Sequence, residues 1–161
     1  MSDYEITLKK HIDEFISLAN TNLPITAKPA LKYLKERGIT KADILKWKIG
    51  YCSSGEYENR IIFPSFNKDG YVNYFVARTY IDHWKRYLNP PVSNNVLFNE
   101  LYVDWNNDLC IVEGVFDAVV ASNAIPLLGS SLRDSSKLLQ KIIKHDTPIY
   151  LAMDPDAKDK E

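Results

Sequence analysis

The spacing of apolar positions along the chain changes character twice, and each change predicts a different kind of structure. Over residues 3–20, Leu8, Ile12, Phe15, Ile16 and Ala19 recur at helical spacing, which predicts an amphipathic helix. A turn at residues 21–24 precedes a second helix from about Pro29, a residue suited to a first helical position, through Leu31 and Leu34 to a stop at Gly38. Thr40 with Asp43 has the form of a capping box for a short helix ending near Lys46. From Trp47 the texture turns to β-branched and aromatic runs, predicting strands at 47–52, 60–66 and 71–80. Asn67-Lys68-Asp69-Gly70 between the last two is a hairpin turn. Residues 82–91 read as an aromatic and basic loop, and 99–105 as a short helix or turn. The second change comes at residue 109. Strand 109–113, helix 115–123, strand 125–128, helix 134–145 and strand 148–153 follow in order, with 157–161 opening another helix. A β-α-β-α-β series implies a parallel sheet with right-handed crossovers.

The first and last of these later strands end in acid. Leu109-Cys110-Ile111-Val112 stops at Glu113-Gly114, with Asp117 three residues on, and Ile149-Tyr150-Leu151-Ala152-Met153 stops at Asp154-Pro155-Asp156. An apolar run that ends in a carboxylate is the pattern of a buried parallel strand whose C-terminal edge opens on a ligand crevice. Alternation in an extended segment points Asp154 and Asp156 to one side. Two unit charges about 4 Å apart repel by roughly 4 kcal/mol at an effective dielectric near 20. A cation or a shared proton relieves that repulsion, so Glu113, Asp154 and Asp156 point to a divalent metal and, through it, to phosphate chemistry. The plainer readings are an acid stabilising a helix N-terminus for Asp117 and a solvated turn for Asp154-Pro155-Asp156.

Composition narrows the class. The chain's 161 residues, 45% hydrophobic and 25% charged, suit one good-sized globular domain, or a domain with a helical appendage. No apolar stretch approaches the ~18 residues of a membrane span. The acidic start has no signal-peptide profile, so a cytoplasmic location is expected. Cys52 and Cys110 sit in apolar runs without a C-x-x-C pair, which excludes a zinc module or disulfide framework in this sequence and makes both core residues. The net charge of −1 hides an asymmetry: residues 28–107 hold 12 Lys plus Arg against 8 acids, the rest 8 against 13. A basic region beside an acidic one suits an enzyme of nucleic acid. His11, His83 and His145 are too scattered for a metal site, and Ser130 and Ser131 read as a turn. Arg60 and Arg78 have a bland reading as surface ion pairs with Glu56, Glu58 or Asp82, and Trp84 and Tyr87 as packing residues.

Glu113-Gly114-x-x-Asp117, the turn at Leu128-Gly129-Ser130-Ser131 and Asp154-x-Asp156 together resemble the TOPRIM domain of primases, topoisomerases and some nucleases. The residues ahead of it narrow the resemblance to the catalytic core of bacterial and phage-type DNA primases. These are Arg60-Ile61-Ile62-Phe63-Pro64, Phe75-Val76-Ala77-Arg78, Arg86-Tyr87-Leu88-Asn89-Pro90 and Leu97-Phe98-Asn99, in that order, with Tyr33-Leu34-x-x-Arg37-Gly38-Ile39 and Ile49-Gly50-Tyr51 matching its opening. The resemblance implies an α/β fold: a helical lead-in (1–27), a small mixed α+β basic subdomain (28–107) and a partial TOPRIM sheet (108–161).

It also implies metal-dependent RNA primer synthesis on single-stranded DNA from ribonucleoside triphosphates. Magnesium or manganese would sit on Glu113, Asp117, Asp154 and Asp156, while Arg60, Arg78, Lys85, Arg86, Tyr87 and Asn89 would meet nucleotide or template. Two features depart from the family pattern: Ala157-Lys158 stands where a glycine-bearing run is usual, and Arg86 replaces a lysine. Family cores continue beyond the point matched by residue 161, so a fragment or one piece of a split enzyme is expected, with a replicative helicase or a separate remainder as partner. The alternatives are a non-catalytic DNA-binding or assembly subunit and a topoisomerase-like or nuclease TOPRIM enzyme.

Overall fold

The computed structural model describes residues 3–129 and 136–153, which divide into two compact units. One unit runs to Ser65 and resumes over Tyr71–Val92; the other holds Phe66–Gly70 and the chain from Ser93 onward.

The first unit is built on a four-stranded sheet in chain order, β1 (Ile16–Ser17), β2 (Gly50–Cys52), β3 (Arg60–Phe66) and β4 (Val72–Thr79). The first helix, α1, spans Asp3–Ile12 and stops short of the expected residue 20. Ile16 instead pairs with Tyr51 and Ser17 with Gly50, so backbone pairing overrides the helical spacing there. Gly50 permits that approach, since a Cβ at its position would lie 2.8 Å from the Ile16 carbonyl oxygen.

Helix α2 (Ala27–Glu36) begins before Pro29, leaving the proline in the first turn, where a missing N–H costs nothing. Helix α3 (Lys41–Trp47) carries the expected capping box, with Thr40 and Asp43 exchanging hydrogen bonds of 2.9 and 3.1 Å. It runs one residue past Lys46 and ends on Lys48 in the left-handed region, so the strand predicted from residue 47 starts at Gly50. The predicted 60–66 strand and its turn are found as expected, the Gly70 N–H donating to the Asn67 carbonyl at 3.0 Å.

Leu8, Cys52, Tyr57, Ile62, Phe75 and Ala77 form the core of this unit. Three of its rings meet edge to face: Tyr57 and Phe75 at 5.3 Å, Phe15 and Phe75 at 5.1 Å, Phe15 and Tyr57 at 5.6 Å.

The second unit contains the predicted parallel sheet, in the order β6 (Ala124–Pro126), β5 (Leu109–Val112), β7 (Ile149–Ala152). Both pairings to β5 are parallel, with Val112 level with Pro126 on one side and Ala152 on the other. Helix α4 (Val115–Val120) packs on β5 and β6 through Val115, Phe116, Ala118 and Val119. Helix α5 (Lys137–His145) buries Leu138 and Ile142 and is capped by Ser136, whose hydroxyl accepts the Leu139 N–H at 3.3 Å. The expectation of two buried strands holds for β5 but not for β7. Tyr150 and Leu151, on opposite faces of that edge strand, are 62% and 63% exposed, because no described element lies over it. Cys52 is buried as expected, while Cys110 is only half-buried. The helix expected at 157–161 lies outside the described residues. No described helix is long and apolar enough to cross a membrane.

The Tyr57 hydroxyl is buried without a hydrogen-bond partner among the described residues. Burial, followed by the nearby Glu56 and Glu14 carboxylates, pushes its pKa up to about 12. The folded state therefore keeps a proton that the unfolded chain, titrating near 10, has lost. Stability is thus lost as pH rises from about 10 towards 12; Tyr80 and Tyr102, also raised by burial, act in the same direction. Urea titrations at pH 8, 10 and 11 should show this fall, and Tyr57→Phe should make it shallower. At pH 8 the variant should match the parent or gain up to about 1 kcal/mol, because it removes a desolvated, unpaired hydroxyl.

Candidate functional site

In the first unit the basic residues collect around the end of β4 and the loop that follows. That loop is more ordered than its composition predicts. The Thr79 N–H donates to the Arg86 carbonyl and the Leu88 N–H to the Ala77 carbonyl, both at 3.0 Å, so residues 86–88 run antiparallel along β4. Arg60 locks the arrangement. It is only 4% exposed, and its guanidinium donates to the carbonyls of Lys85 (2.8 Å), Arg86 (3.1 Å) and, at longer range, Ala77 (3.4 Å). Burial, and then the neighbouring Arg78 charge, lower its pKa below the ordinary guanidinium range. The bland reading of Arg60 as a surface ion pair therefore gives way to a buried clamp on backbone oxygens.

Arg78 lies over the Tyr87 ring at 5.1 Å, and its Nε is buried without a hydrogen-bond partner among the described residues. One face of Tyr87 is thus occupied by a cation. Lys85, Arg86 and Asn89 are exposed on the same loop. Two guanidinium groups side by side, followed by two more exposed cations, form a local excess of positive charge that an anion would relieve.

The sequence left Trp84 with a reading as a packing residue. It is 87% exposed, which rules out the packing role, and its ring stacks on His83 at 5.8 Å with 23° between planes. The Lys85 N–H donates to His83 Nδ1 at 3.0 Å, tying the pair to the basic residues. The available signal was its neighbourhood: Asp82, His83, Lys85 and Arg86 offer no apolar partner.

In the second unit Glu113 follows β5 directly and is half-buried, while Asp117 is exposed in the first turn of α4. The Glu113 carbonyl accepts the Leu128 N–H at 3.1 Å, which fixes the turn out of the strand. Because β7 runs parallel to β5 in register, Glu113 and Met153 leave the sheet at the same edge. Asp154, Asp156, Ser130 and Ser131 lie outside the described residues. Among the described residues, no three His, Cys, Asp or Glu side chains gather as a metal cluster.

No family model matches the chain. A curated DNA primase of Clostridium acetobutylicum is 27% identical over 144 residues, a match covering 78% of this chain and 24% of that protein. Solved structures share its fold. The RNA polymerase domain of the Mycobacterium tuberculosis primase DnaG superposes with a TM-score of 0.75 at 16% identity, over 96% of this chain and 67% of that one. A DnaG primase catalytic domain bound to ssDNA gives 0.72 at 18% identity, over 92% and 62%. The zinc-binding and RNA polymerase domains of the Aquifex aeolicus primase give 0.71 at 22%, over 94% and 47%. The chain therefore has the fold of the primase catalytic core, and it spans about a quarter of the length of the curated relative it matches.

The Arg60 clamp has a direct consequence. Arg60→Met should cost about 2–3 kcal/mol in chemical denaturation, since it removes charge-assisted hydrogen bonds from a buried position. It should also release the loop, seen as faster tryptic cleavage after Lys85 and Arg86 under native conditions. Arg60→Lys should fall between, because one ammonium cannot replace a fork that reaches several carbonyls.

Proposed function

We propose that the chain is the catalytic core of a DNA primase, joining ribonucleotides into RNA primers on single-stranded DNA during bacterial or phage replication. The observation that carries this reading is the in-register parallel pairing of β5 with β7, which sends Glu113 and Met153 to one edge of a sheet of the primase-core type. A separately encoded remainder or a replicative helicase is its expected partner.

The donor set fits hard divalent cations. Glu113, Asp117, Asp154 and Asp156 offer only carboxylate oxygens, the ligands that magnesium and manganese prefer. When bound, the ions neutralise the triphosphate and favour in-line attack by a 3′-hydroxyl. The protein's own groups do the rest. Half-burial of Glu113 and its anchored turn hold that carboxylate in place. Arg78, Lys85 and Arg86 bind triphosphate or template phosphates through their guanidinium and ammonium groups. Arg60 acts at one remove, by holding the loop that carries Lys85 and Arg86. Tyr87 and Asn89 shape the groove, and Trp84 provides a ring on which a template base stacks.

This reading is tested on the full chain. Template-dependent incorporation of labelled ribonucleotide should need magnesium or manganese, and Glu113→Gln should lower it by more than about 100-fold while leaving the melting temperature without metal unchanged. Undiminished incorporation, or an unchanged magnesium-induced thermal shift in the variant, rejects Glu113 as a ligand. Nicking of supercoiled DNA without incorporation would point to a nuclease or topoisomerase-like enzyme. Trp84→Ala should weaken single-stranded DNA binding by about 1–3 kcal/mol, read as anisotropy of a labelled oligonucleotide.

A further inference from the structure

A second concentration of positive charge lies wholly within the second unit, apart from the loop of Lys85 and Arg86. Lys137, Lys141 and Lys144 fall on one face of α5, beside the stripe of the buried Leu138 and Ile142. The hairpin tip brings Lys68 to the same place, and together with Leu97, Glu100 and Gln140 these residues line an open groove of about 380 Å³. Lys141 is neutralised in the floor by Glu100 at 3.6 Å. No carboxylate pairs with Lys68, Lys137 or Lys144 among the described residues. The helix is held firmly at its start, where the Lys137 N–H donates to Asn95 Oδ1 at 3.1 Å. The groove thus has a paired floor and, among the described residues, three ammonium groups around it without a carboxylate partner.

The geometry points to a second nucleic-acid contact, in which Lys68, Lys137 and Lys144 hold the phosphodiester backbone of single-stranded DNA. This rests on the reading that the chain works on such a template. Three features favour a nucleic-acid strand over an acidic protein. Three of the cations, Lys137, Lys141 and Lys144, recur at i, i+4 and i+7 of one helix, a spacing that suits a polyanion with regularly placed charges. Leu97 is the one apolar side chain in the lining, so anchor pockets for a peptide's large side chains are lacking. The lining has no aromatic ring, so bases have nothing to stack on and the contact is to backbone alone, without sequence preference. Lysines suit that task, since each acts as a mobile point charge rather than a shaped fork.

The test is anisotropy of a labelled single-stranded oligonucleotide on the full chain across a salt series. Lys68→Ala/Lys137→Ala/Lys144→Ala removes three exposed cations and no buried group. It should bind more weakly at 0.1 M salt and reduce the slope of log affinity against log salt by about 2, three contacts at roughly 0.7 each. Glu100→Gln should do the reverse, tightening binding and steepening the slope by about 0.7, a gain that misfolding does not produce. Trp84→Ala, in the other unit, should weaken binding with the slope intact. An unchanged affinity and slope in the triple variant, while Trp84→Ala still weakens binding, overturns this contact alone. Absence of DNA binding by the parent overturns it together with the functional reading. Tighter binding of polyglutamate or of duplex DNA than of the single strand assigns the groove to another occupant and also overturns it.

Discussion

A guanidinium group shut away from water must find acceptors for its N–H groups, and in this protein that requirement organises the basic side of the molecule. Arg60 sits in β3, with β4 between it and the loop, yet its nitrogens reach the carbonyls of Lys85 and Arg86. A loop crowded with like charge would ordinarily spread apart in solvent. Here its backbone oxygens accept hydrogen bonds from a buried cation, and its N–H groups and carbonyls complete a short ladder with β4. Order in the loop thus comes from below, through main-chain atoms, and the side chains of Lys85, Arg86 and Asn89 remain turned to solvent.

The acidic side depends on a different constraint. Parallel strands send all their C-terminal ends to one edge, so a residue that follows β5 and a residue that follows β7 become neighbours whatever their separation in sequence. That is why carboxylates about 40 positions apart are candidates for one site. The same sheet shows an opposite tendency at β7, where large apolar side chains stay in water on both faces. Parallel strands are normally covered on both sides, and an uncovered apolar edge is a surface that pairs readily with other polypeptide.

Charge is partitioned along the molecule with some economy. The cations that define the loop of the first unit are arginines for the most part, one buried and one laid on Tyr87, where planar geometry matters. Those of the groove in the second unit are all lysines on an exposed helix face and a turn. The first arrangement suits a shaped, nearly fixed anion; the second suits a flexible one.

Much of the fold was legible in the sequence because it rests on local rules. The Thr40–Asp43 box, the Asn67–Gly70 turn, the bounds of β3 and the alternation of strand and helix after residue 109 all follow from capping, turn chemistry and periodicity. The positions of Glu113 and of the basic loop could also be read from the sequence, as residues at the ends of apolar runs and between strands. Tertiary structure alone decided the rest. Helix α1 ends early because Ile16 and Ser17 have a backbone partner at Gly50 and Tyr51, and no local spacing encodes a partner 33 or more residues away. Arg60 is a clamp rather than a surface cation because its strand lies within the sheet, and Trp84 is 87% exposed with the His83 ring stacked on it. Local sequence sets which conformations a segment prefers. Which atoms meet when the strands align depends on long-range pairing, and only the assembled chain supplies that.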